Sequence, residues 1–248
     1  MRSLLMCLMF LAFTTIVIVG SVYIRWDFYQ FSLSWPPTYC DPYLCKLPPE
    51  VNSFTIHGVW PTIWPNITPK CNVSVKWNLS NLDPIRPELD YKWPRLKNNT
   101  KRDIFWRYEY RKHGRCALED PAIIGVLGYF NAALSVYNHI DLLNKLQMYN
   151  ITPSNVKLYN KTYFRDVLKK LYGIPGRLIC KMKCENDRTD FDLEDIRFCL
   201  NRTFAFINCS TEGDCPEKFY FPPYPNRTTQ IKTTKKRRKR NSPDQNTY

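Results

Sequence analysis

The 248-residue chain predicts a single α+β domain, on three observations. Strand-like and helix-like stretches are both present. No internal repeat or domain boundary appears before a basic C-terminal tail. Apolar residues make up 44%, enough for a full-sized core and too many for global disorder.

The N-terminal stretch "MRSLLMCLMFLAFTTIVIVGS" has Arg2, an unbroken apolar run, then Gly20 and Ser21. That is the layout of a secretory signal, expected to span residues 1–21; an uncleaved membrane anchor is the alternative. Export agrees with nine N-x-[ST] glycosylation sequons, at Asn66, Asn72, Asn78, Asn98, Asn150, Asn160, Asn201, Asn208 and Asn226. It also agrees with nine cysteines outside the signal, a density that reads as a disulfide framework with one thiol left over.

The folded domain is expected over residues 22–231. "WDFYQFSLSWPPTYC" alternates as a strand from Phe28 to Trp35, stopped by Pro36 and Pro37. Cys40 and Cys45 flank a short loop and are near enough in the chain to bond. "FTIHGVWP" reads as a strand ending on His57 and stopped by Pro61. Residues 62–98, rich in Pro and Asn with four sequons, read as an exposed, sugar-carrying excursion. A helix follows, with Thr100 and Asp103 as its N-terminal capping pair and Gly114 as its stop. "PAIIGVLGYFNAALSVYNHIDLLNKLQMYNI" carries apolar residues at helical spacing, and Tyr163 to Leu171 reads as a third helix. Residues 177–210 read as short strands around Cys180, Cys184, Cys199 and Cys209.

The last segment, 232–248, carries +6 of the formal +14, so the body keeps +8 and is basic without its tail. A basic secreted protein favours an anionic partner, RNA or an acidic cell surface. Within the tail, "KKRRKR" reads as solvated and disordered, as a multibasic processing site, or as nonspecific RNA affinity.

Histidine is rare here, with three in the chain, and two sit in suggestive company. Glu109, Lys112 and His113 fall at i, i+3 and i+4, which stacks them on one helical face. An exposed ion-pair ladder with a chance histidine would look the same. His57 is followed by Gly58, which permits close approach, and by Trp60, a flat stacking surface. Two histidines from separate elements, with Lys and Glu beside one, suit a reaction needing both a proton acceptor and a proton donor. Cleavage of RNA through its own 2′-hydroxyl is such a reaction. His139, in an Ala/Leu/Val helix, reads as structural. No CxxC pair is present and the cysteines suit bridges, so no metal site is expected.

At these residues the chain resembles the ribonuclease T2 family. "FTIHGVWP" is similar to the family's first active-site segment, usually FTIHGLWP, and "FWRYEYRKHGRC" to its second, usually FW-x-HEW-x-KHGTC. The resemblance runs from "DFYQFSLSWPP" to the cysteines near 215. It implies an antiparallel sheet flanked by helices and braced by disulfides Cys40–Cys45, Cys71–Cys116, Cys180–Cys215 and Cys199–Cys209, leaving Cys184 unpaired. It implies His57 as general acid, His113 as general base, Lys112 and Glu109 as stabilisers of the transition-state phosphate, and Trp60 in the substrate cleft.

Tyr108 stands where many members have a third histidine. Pistil self-incompatibility ribonucleases often lack it too, so Tyr108, the opening strand and the basic charge shift the resemblance toward them. Arg115 replaces a usual Thr. The expectation is therefore a secreted, monomeric, glycosylated endoribonuclease that needs no cofactor or metal and has no stable membrane association once its signal is cut. It should act on single-stranded RNA, leave 2′,3′-cyclic phosphate ends and serve pistil self-incompatibility with a pollen recognition protein as partner. Alternatives are a defence or phosphate-scavenging ribonuclease, or a non-catalytic binding glycoprotein of the same fold.

Overall fold

The computed structural model describes residues 25–40, 45, 48–71, 76–97, 102–185 and 188–225. The signal-like segment, Thr100, the sequons at Asn72, Asn98 and Asn226, and the basic tail lie outside them.

The first element, β1 (Phe28–Ser34), is buried along its whole length. Its Phe31 and Leu33 join the aromatic core, while Ser32 and Ser34 point hydroxyls at a buried carboxylate. Pro36 and Pro37 end the strand and open a single turn, α1 (Pro36–Tyr39), because proline suits the first helical positions.

The second strand corrects the expectation. β2 runs Thr55–Thr62, through His57 and past Pro61. Proline is tolerated because β2 lies at the edge of the sheet. The sheet order is β2, β1, β5 (Arg188–Leu200), β7 (Lys218–Phe221), β3 (Ser154–Asn160), with β4 (Arg177–Glu185) and β6 (Phe206–Ile207) also pairing β5. It is antiparallel apart from the β5–β7 contact. Residues 177–210 form a long hairpin and not several short strands: β4 (Arg177–Glu185) pairs β5 (Arg188–Leu200), with β6 (Phe206–Ile207) beyond. Two strands had no clear sequence signal: β3 (Ser154–Asn160), whose residues are mostly exposed, and the four-residue β7 (Lys218–Phe221).

Nor is the stretch 62–98 wholly an excursion. A 3₁₀ turn, Leu79–Ile85, and helix α2 (Arg86–Lys92) seat Leu82, Leu89 and Trp93 in the core, each at 0% exposure. Burying each such side chain contributes on the order of 2 kcal/mol. Helix α3 (Arg102–Glu109) does not stop at Gly114. It passes through a wide π-turn, Tyr110–Gly114, into α4 (Arg115–Ala117). Gly114 serves packing: a Cβ there would stand 2.7 Å from the Tyr110 ring and 2.9 Å from Tyr129.

The next helical stretch divides at Asp141, whose positive φ of 44° separates α5 (Gly125–Ile140) from α6 (Leu142–Gln147). Val126, Tyr129, Phe130, Ala133 and Leu134 form the buried stripe of α5 at i, i+3, i+4 spacing. His139 is exposed on that helix and lies outside the core. Helix α7 (Lys161–Tyr172) is capped by Asn160, whose side chain accepts from the Tyr163 amide at 2.8 Å, and it ends at Gly173 with φ 78°.

Disulfides join Cys40–Cys45, Cys71–Cys116, Cys180–Cys215 and Cys199–Cys209, and Cys184 is a free, exposed thiol. Among the described residues no helix is long and apolar enough to cross a membrane.

Candidate active site

His57 owes its position to a bulge. Along β1 and β2, Ser32 pairs with Gly58 and Leu33 with Ile56, leaving His57 as the extra residue. In an unbroken strand, residues 57 and 60 would face opposite sides. The bulge turns both to one side, with ring centroids 5.1 Å apart. Trp93 Nε1 donates to the His57 carbonyl at 3.1 Å, so the backbone group displaced by the bulge is satisfied.

The π-turn positions the second histidine. The Arg115 amide donates back to the Tyr110 carbonyl, five residues earlier. This wider turn redistributes the expected face: Glu109 and His113 point inward at 4% and 5% exposure, whereas Lys112 is exposed. The three do not form one surface ladder. Lys112 Nζ instead lies 5.4 Å over the Tyr108 ring, at the rim. Such π-turns recur at functional sites. Cys71–Cys116 ties the far end of this helix to the chain beyond β2, and Trp26 Nε1 donates to the Cys116 carbonyl at 2.9 Å.

Trp60 joins the two halves. Its ring lies 5.1 Å from that of His57 and 5.2 Å from that of His113, and its Nε1 donates to Glu109 Oε2 at 3.0 Å. Gly58 makes room for this contact. A Cβ there would stand 2.1 Å from Trp60 Nε1 and 2.7 Å from Glu109 Oε2.

Sequence reasoning missed two residues of the site. Asp195 and Arg197, two apart on β5, share its face of the sheet, and Asp195 is 1% exposed. The Asp195 carboxylate accepts from Ser34 Oγ at 2.6 Å, Arg197 Nη2 at 2.9 Å and Ser32 Oγ at 3.2 Å. It also pairs with His57 Nδ1 at 3.3 Å. The Arg197 guanidinium in turn lies 5.3 Å over the Trp60 ring. No spacing rule links 57 to 195, and in the sequence Asp195 is one of several acidic residues of β5, beside Asp190, Asp192 and Glu194.

The electrostatics separate these groups. Burial pushes the Asp195 carboxyl up, but its bond from His57, the charges of His57 and Arg197, and the Ser34 hydroxyl outweigh that and hold it at about 2. Burial pushes the Glu109 carboxyl up, against the opposing Trp60 bond and the charges of His57 and Lys112. Burial, then the charges of Lys112 and His57, push the His113 imidazole down to about 3. Its Nδ1 is buried without a hydrogen-bond partner. Among the described residues, no cluster of three or more His, Cys, Asp or Glu side chains is placed to hold a metal ion.

The model of the ribonuclease T2 family matches residues 26–209. Ribonuclease Oy of Magallana gigas is 30% identical over 207 residues, covering 80% of this chain and 97% of that protein. Ribonuclease T2 of Homo sapiens is 30% identical over 186 residues, covering 73% of this chain and 70% of its own. The crystal structure of RNase NT in complex with 5′-AMP superposes with a TM-score of 0.68 at 26% identity, over 80% of this chain and 99% of that one.

Proposed function

The chain belongs to the ribonuclease T2 family, and we propose that it is a secreted endoribonuclease cutting single-stranded RNA by attack of the 2′-hydroxyl on the adjacent phosphate. The observation that carries the mechanism is that one indole, Trp60, lies close to both imidazoles, with ring centroids 5.1 Å from His57 and 5.2 Å from His113.

His113, neutral at working pH, accepts the 2′-hydroxyl proton as O2′ bonds to phosphorus. His57 donates the proton on its Nε2 to the departing 5′-oxygen. The P–O5′ bond breaks, leaving a 2′,3′-cyclic phosphate and a free 5′-hydroxyl. Asp195 fixes the tautomer by accepting at Nδ1, which turns Nε2 toward the cleft. Burial raises the Glu109 carboxyl above its ordinary value, which lessens its repulsion of the phosphate that it helps to stabilise. Lys112 supplies positive charge from the rim, and Trp60 offers a base-stacking edge.

Secretion is supported by the signal-like residues 1–21, the four disulfides, and exposure of the sequon residues Asn66, Asn78, Asn150, Asn160 and Asn208. The narrower role, pistil self-incompatibility with a pollen partner, rests on Tyr108, the basic charge and the opening strand. Ribonucleases of Magallana gigas and Homo sapiens are similar to this chain, so the broader reading is the one proposed. A style-restricted transcript would restore the narrower one, and root or starvation induction would sink it.

Product analysis of cleaved RNA tests the chemistry. The wild type should release cyclic-phosphate ends and work in EDTA. His57→Ala and His113→Ala should each lose about 10²–10⁴-fold in rate. Full activity in a folded His57→Ala protein, or loss on chelation, overturns the mechanism.

A further inference from the structure

Arg107, Arg111 and Arg115 recur every fourth residue along the catalytic helix and through its π-turn, Arg111 exposed and the other two partly so. Two open depressions, of 410 and 490 Å³, lie side by side on this surface and share Arg111 and Lys112 as their common wall. Arg107, Tyr108 and Ile104 complete the first, with Tyr108 and Ile104 both half-exposed. Arg115, Lys70 and Thr68 contribute to the second. Among the described residues no acidic side chain lines either one, so five cations meet on a single surface. This accumulation lies within a body whose formal charge is +8 without the tail.

We propose that this helix face is a second binding site, taking the phosphates of single-stranded RNA that flank the bond being cut. The proposal rests on the ribonuclease reading and extends it. Lys112 belongs both to the active-site rim and to the two depressions, so a strand leaving the cleft passes directly onto Arg111. Guanidinium forks match phosphate oxygens in pairs, and the half-exposed Tyr108 ring and Ile104 give the bases an apolar floor. The site is read through phosphates, so it adds affinity for length and little for sequence.

The test uses the full disulfide-bonded protein carrying Arg107→Ala and Arg111→Ala together, neither of which takes part in the chemistry. Cleavage of a dinucleotide should stay within about twofold of wild type, which also reports correct folding. KM for a 12-nucleotide RNA should rise about tenfold at low salt with kcat retained. The slope of log KM against log salt should shrink by about 1.4, at roughly 0.7 for each single-strand phosphate no longer neutralised. The Arg107→Lys, Arg111→Lys pair should recover most of the affinity. Anisotropy with a non-cleavable 2′-O-methyl 12-mer separates this site from catalysis: binding about tenfold weaker in the alanine variant supports it even if no substrate is cut. Equal binding by wild type and variant overturns it, as does equal loss on dinucleotide and 12-mer. Loss of heparin affinity with RNA affinity unchanged overturns it too, and assigns the face to an acidic glycan.

Discussion

His57 Nδ1 and Asp195 Oδ2 stand 3.3 Å apart across the intervening strand β1. The bulge supplies the histidine, the central strand supplies the carboxylate, and Ser32 and Ser34 between them hold it still. A histidine positioned this way has one nitrogen committed to the protein and, in the proposed mechanism, presents the other to the substrate. Asp195→Asn preserves shape and removes charge. It should lower kcat by about 10²-fold, the scale of one acid–base partner, with KM nearly unchanged. An unaltered kcat in the folded variant would show that the carboxylate does not position the acid.

The same carboxylate leaves a mark on stability. Its folded value of about 2 lies below the ordinary 3.8, so its stabilisation is complete above pH 3.8 and is lost as pH falls toward 2. The shift corresponds to about 2 kcal/mol. Urea midpoints measured at pH 5 and pH 2 should therefore drop further for wild type than for Asp195→Asn. Identical drops would remove Asp195 from the ion network.

Much of the scaffold was legible because burial follows period. The α5 stripe and the Pro36-Pro37 stop could be read directly from residue type and spacing. The site was legible only in its parts. His57 and Trp60 are an odd number of positions apart, and only a bulge, which depends on pairing with Ser32 and Leu33, brings them to one side. Glu109, Lys112 and His113 fit an ordinary helix on paper. The π-turn that buries two of them and exposes the third is set by tertiary packing of Tyr110 and Gly114 against Tyr129. Asp195 was invisible for a plainer reason: its partner is 138 residues away.

Gly58 is the position where the backbone leaves no room. Gly58→Ala would force a methyl group into Trp60 Nε1 and Glu109 Oε2, separating the indole from the carboxyl it bonds. Activity should fall by at least about 10-fold, with a loss of about 1–3 kcal/mol from overpacking. Wild-type kcat together with wild-type melting would show that the cleft can rearrange.

Cys184 lies on β4 opposite Thr189, exposed and outside the four bridges. A thiol reagent should therefore modify one cysteine in the unreduced protein lacking its signal segment. Cys184→Ser should change stability by no more than about 0.5 kcal/mol, as expected of a surface site. Mass mapping that finds Cys184 bridged to Cys215 would contradict this pairing.

The last prediction concerns the base. Burial first, and then the charges of Lys112 and His57, hold the His113 imidazole at about 3, against an ordinary 6.5. A general base must be neutral to accept a proton, and in that proposed role His113 stays neutral as pH falls well below 6.5. The acid limb of kcat/KM, which reports the free enzyme, should accordingly lie far below pH 6.5 and leave the protein active in mildly acidic solution. Lys112→Ala removes the second of the three causes and leaves the first. Its acid limb should move up toward 6.5 without reaching it, alongside a drop in kcat from the lost positive charge near the phosphate. The two effects separate in a full pH profile, because one shifts the limb and the other lowers the plateau. A wild-type limb near 6.5, or a limb that does not move in Lys112→Ala, would remove His113 from the role of base.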